Sequence, residues 1–129
     1  MKIIINLILI CFTSVLYAQN YKVHSLIKKE QNVVSEVRQI NISVNDEFII
    51  IKNYKNVYTE DLIMKIEKIE QKLYQQTNCV WFYCVSVEKD MFNNNYRKGI
   101  FIYDKVGKNM LFANFISEVD VSWTKFLLE

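Results

Sequence analysis

The chain is predicted to fold as a mainly β domain: an antiparallel meander of six to eight short strands, closing as a small barrel or sandwich, with a possible single helix at 59–74. Three observations point there. Residues 80–87, VWFYCVSV, are dense in β-forming types. Apolar and polar residues alternate from Ile40 to Val44, the period of a half-buried strand. Turn-forming clusters, Asn45-Asp46 and Asp104–Asn109 with Gly107 inside, punctuate short apolar runs.

Taken from the start, residues 1–18 have the three-part plan of a secretory signal peptide. Lys2 gives a positive start, Ile3 to Phe12 form an apolar run broken by Asn6, and Ala18 offers the small side chain needed at a cut before Gln19. A membrane-spanning helix needs about 20 apolar residues, and this run is shorter and ends in Thr13 and Ser14. Cys11 follows Ile10, not the small residue that lipid attachment requires. Export to the periplasm or medium is the expectation, leaving residues 19–129 as a single β-rich domain and no stable membrane span after cleavage.

Within that domain, Tyr21, Val23 and Leu26-Ile27 suit an edge strand, and 39–52 suits a hairpin turning at Asn45-Asp46. Residues 57–75 read two ways. Leu62, Ile66, Ile69 and Leu73 fall at i, i+4, i+7 and i+11, with Thr59 as a cap and Glu60 and Asp61 in the first turn. That pattern favours a helix. Leu62, Met64 and Ile66 also alternate as in a strand, so both readings stay open. Beyond, Val80–Val87 places Trp81, Tyr83, Val85 and Val87 on one face, with Val80, Phe82 and Cys84 on the other. The polar, Asn-rich run 91–98 reads as a loop. Ile100–Tyr103, Met110–Phe115 and the alternating Val119, Val121 and Trp123 complete four strands of a meander.

Composition narrows the function. Lys2 is the one charge before Gln19, so 15 basic residues face 14 acidic ones in the remainder. A nearly neutral chain has no electrostatic reason to seek nucleic acid. Two isolated glycines exclude a Gly-rich phosphate loop. His24 is the single histidine, which removes multi-histidine metal sites, and a Cys-His pair of His24 with Cys79 or Cys84 has no supporting residue in the sequence. The acid pairs Asp46-Glu47, Glu60-Asp61 and Glu118/Asp120 read as solvated charge, the last also as a possible cation-binding edge. Asn41-Ile42-Ser43 matches a glycosylation acceptor that a bacterial origin would leave idle. Cys79 and Cys84 on one straight strand would stand about 16 Å apart, beyond the ~7 Å a disulfide spans. They pair only if the chain bends near Asn78. No residue is singled out as catalytic, cofactor-binding or metal-ligating.

The blocks Trp81–Cys84, Gly99–Asp104 and Phe115–Val121 resemble a group of small exported bacterial proteins of unknown function with a calycin- or lipocalin-like β-meander. The resemblance covers residues 39–129. It implies strands rather than a helix over 57–75 and transfers no catalytic residue. The expected function is a non-enzymatic binding module for a protein or an apolar ligand. An envelope immunity or inhibitor protein that neutralises a secreted toxin is the alternative, and a small enzyme comes third. A cavity lined by Trp81, Tyr83, Phe101 or Trp123 would favour a ligand. A filled core with an exposed aromatic patch would favour a protein partner.

Overall fold

The computed structural model describes residues 19–28, 34–36, 39–55, 60–89, 94–115 and 121–129. The expected signal peptide, Thr59 and the pair Glu118/Asp120 lie outside the described residues. Nine strands are present among the described residues: β1 Gln19–Lys28, β2 Val34–Glu36, β3 Asn41–Val44, β4 Phe48–Lys55, β5 Glu60–Tyr74, β6 Thr77–Lys89, β7 Tyr96–Asp104, β8 Asn109–Phe115 and β9 Val121–Leu128.

From β3 to β9 each strand pairs antiparallel with the next, and β9 returns to β1. Leu26 of β1 pairs with Ser35 of β2 on one side and Phe126 of β9 on the other. The short β2 therefore continues the line of β3 along one edge of β1. The other eight strands close an antiparallel barrel, which leaves no long unpaired edge. The N-terminal segment expected at an edge is instead a ten-residue closing strand. The 39–52 hairpin forms as expected, with the Asn45 side-chain oxygen accepting from the backbone N–H groups of Glu47 and Phe48 at 2.8 Å each.

Of the two readings of 57–75 the strand holds and the possible helix at 59–74 does not: residues 60–74 are one strand of 15 residues. A β-bulge explains the helical pattern. The register shifts between Ile66 and Lys68, so one residue is added to the two-residue alternation. Leu62, Met64 and Ile66 pack on the core and, after the bulge, Ile69 does too. Two strand segments of opposite parity thus reproduce spacings of four and three. Leu73, the last residue of the apparent helical stripe, is 64% exposed. With β6 at 13 residues, this hairpin is also longer than the short strands expected.

The barrel core is built from large apolar side chains. Phe101, Phe112 and Phe126, with Ile42, Ile49, Ile51, Met64 and Met110, are fully buried. The Phe101 and Phe112 rings stack with centroids 4.4 Å apart. Each such side chain contributes about 1.5–3 kcal/mol by leaving water. The close ring packing depends on Gly99, where an added Cβ would come within 2.7 Å of the Phe112 ring.

Candidate functional site

Eight aromatics of the second half divide evenly. Phe82, Phe101, Tyr103 and Phe112 belong to the inward face, and three of them are buried. Trp81, Tyr83, Phe115 and Trp123 occupy the alternate, outward positions. Strand register then aligns these outward residues with apolar neighbours in three rows across β6–β9. Trp81, Ile102 and Leu111 form the first row and end on Lys125. Tyr83, Ile100, Ala113 and Trp123 form the second, and Val85, Lys98, Phe115 and Val121 the third. Directly opposed pairs on one face are in side-chain contact range, so the rows make a continuous apolar face. A groove of about 430 Å³ runs along it, lined by Tyr74, Trp81, Ile102, Leu111, Phe115 and Trp123 among others. On β3 and β4 the outward positions are mixed: Asn41, Ser43, Ile50 and Lys52.

Lysines border this face. Lys65, Lys68 and Lys72 on β5 stand opposite Val85, Tyr83 and Cys79. Lys72 Nζ lies 4.1 Å from the Trp81 ring centre and Lys68 Nζ 5.6 Å from that of Tyr83, both cation–π contacts. Glu70 lies between these lysines, ion-paired to Lys68 and at 3.9 Å from Lys72. The Tyr83 hydroxyl donates to it at 3.3 Å. The hydrogen bond to Lys68 holds the Glu70 carboxyl below its usual range. Tyr74 meets Trp81 edge-on at 5.8 Å. The indole N–H of Trp81 is buried with no acceptor among the described residues, and a buried donor left unpaired costs about 1–3 kcal/mol.

The residues weighed for catalysis do not converge. His24 is exposed, with Nδ1 at 2.8 Å from the neighbouring Ser25 hydroxyl. Asp46 and Glu47 sit exposed in the β3–β4 turn, and Asp61 is exposed, accepting from the Asn53 backbone N–H at 3.2 Å. Cys79 and Cys84 are both free and buried, five residues apart on opposite faces of β6. Burial raises both thiol pKa values, that of Cys84 to about 12, which keeps them protonated and poor nucleophiles at neutral pH. Among the described residues no group of three His, Cys, Asp or Glu side chains is placed to hold a metal ion. No helix among them is long and apolar enough to cross a membrane.

Sequence reading set Trp81 and Tyr83 on one face but grouped them and Trp123 with the buried Phe101, and it found neither the lysine border nor the part played by Ile100, Ile102 and Leu111. In Ile100–Tyr103 every residue is apolar or aromatic, so alternation gives no hint of which face is the core. No protein-family model, curated protein or solved structure matches the chain.

Proposed function

We propose that this protein is a non-enzymatic binding module that docks an acidic, partly apolar protein segment on the outer face of β6–β9. One observation carries the reading. The core is filled by its own set of side chains, yet four adjacent strands present a second apolar set outward in register. Large contiguous apolar patches on a folded surface mark interaction sites, and Trp and Tyr are the residue types that dominate binding energy. The lysines of the border choose the partner's charge. In a two-fold dimer this patch would meet itself and bring two lysine-bordered faces together, so an acidic partner suits it better than a second copy. An immunity protein facing a secreted toxin is one form of this reading.

Export from the cytoplasm is part of the proposal, and the exported protein should begin at Gln19 on N-terminal sequencing. An intact Met1 in the envelope fraction would count against it. For the interface, a benzoylphenylalanine cross-linker at position 115 should yield one adduct with an acidic protein, weakening as salt rises. The same probe at position 50, on the opposite side of the barrel, should yield none. Equal labelling from both positions would overturn the assignment.

A further inference from the structure

A second cleft opens at the end of the barrel where Gln19 begins β1 and the β5–β6 and β7–β8 turns lie. Its volume is about 430 Å³, within the ~300–1,000 Å³ of small-molecule sites. It is separate from the outer groove. Val80, Phe82 and Tyr103 line it from the inward side of strands whose outward residues, Trp81 and Ile102, line the groove.

The chemistry of this mouth is layered. Its deep part is apolar and aromatic: Val80, the buried Phe82, and Tyr21 and Tyr103, whose rings tilt together at 4.9 Å. The fully buried Phe101 and Phe112 continue the row of Phe82 across β7 and β8. Burial raises the Tyr21 phenol pKa, with Tyr103 adding to the effect, so the Tyr21 hydroxyl brings a hydrogen bond and no negative charge. The outer part is amide and ammonium, from Gln19, Gln71, Asn78 and Lys105. Lys105 is the single charged residue of the lining, and no acid is among the described lining residues.

We propose that this mouth binds a small amphipathic carboxylate. Its apolar tail lies on Val80, Phe82 and the tyrosine pair, and its carboxylate accepts hydrogen bonds from Lys105 and the rim amides. A carboxylate offers acceptors only, which matches a rim of donors around one cation, whereas an amine would meet Lys105 with like charge.

The test titrates the isotope-labelled protein with octanoate, 1-octanol and octylammonium, following backbone amide shifts. Octanoate should saturate in the millimolar range with shifts confined to the mouth, around Tyr21, Val80 and Lys105. Octanol should bind more weakly and octylammonium not at all. Lys105 lies exposed in a turn, and Lys105→Gln should weaken octanoate about fivefold, the scale of an exposed ion pair, while leaving octanol unchanged. Val80→Trp, which fills the cleft, should remove both. Octanoate shifts centred on Trp81 and Trp123, no saturation, or an unchanged affinity in Lys105→Gln with its fold intact would each overturn the proposal.

Discussion

Gly99 shows how one position holds the core together. It lies between Cys84 and Asn114 across the sheet, and a methyl group there would meet the Phe112 ring at 2.7 Å and the Met64 terminus at 3.0 Å. The methionine tail can move, but the stacked phenylalanine cannot without disturbing Phe101. Gly99→Ala is expected to destabilise the fold by about 1–3 kcal/mol, the usual cost of overpacking, measurable by urea denaturation. Cys84 gives a pH signature. Its thiol moves from an ordinary 9.0 to about 12 in the folded chain, through burial and then the charge of Glu67. Between those values the unfolded chain has lost the proton and the folded chain keeps it. Stability is therefore full below pH 9 and declines above it by about 1.4 kcal/mol per pH unit for one such group. Cys84→Ala removes this loss, so the stability gap between wild type and variant should narrow from about pH 8 to pH 10.5. A constant gap would count against the burial of the thiol.

The strands of the second half were legible because they are dense in β-branched and aromatic residues, and turn residues separate them. Two elements were not. The stripe of Leu62, Ile66 and Ile69 arises equally from a helix and from a strand with one bulge, and local spacing carries no information that separates the two. Pairing with β4 and β6 decides it, and that is tertiary. The β5–β6 connection was missed as well, because it turns on Gln75 and Gln76. Both have positive φ, 48° and 68°, the backbone of a two-residue hairpin turn normally made by Asn-Gly. A non-glycine residue in that region costs about 1–2 kcal/mol, and glycine gives back roughly 0.5–1 kcal/mol in lost chain entropy. Gln76→Gly should thus stabilise the protein by up to about 1 kcal/mol, read as a higher denaturation midpoint at unchanged slope. A loss of stability would mean the turn is built otherwise.

Closure of the barrel ties the first described strand to the last, through Val23 with Leu128 and Leu26 with Phe126. Nothing near Gln19 in sequence announces this, since a strand pairing 100 residues away leaves no local mark. Closure also sets which face of each strand is the interior. The sequence offers apolar residues on both faces of β6–β9, and the limited interior accepts one set, led by Phe82, Phe101, Phe112 and Phe126. Trp81, Tyr83, Phe115 and Trp123 are left on the convex side, with lysines around them. A barrel that needed only stability would have polar residues there.

The affinity of the cross-linked partner for Trp123→Ser tests that surface most directly. Circular dichroism and the denaturation midpoint establish that the variant keeps the barrel. With the fold kept, binding should weaken by about 30-fold, corresponding to the ~2 kcal/mol of an aromatic hot spot. A folded Trp123→Ser protein that binds its partner as tightly as the wild type would mean the outer aromatic rows are not the interface.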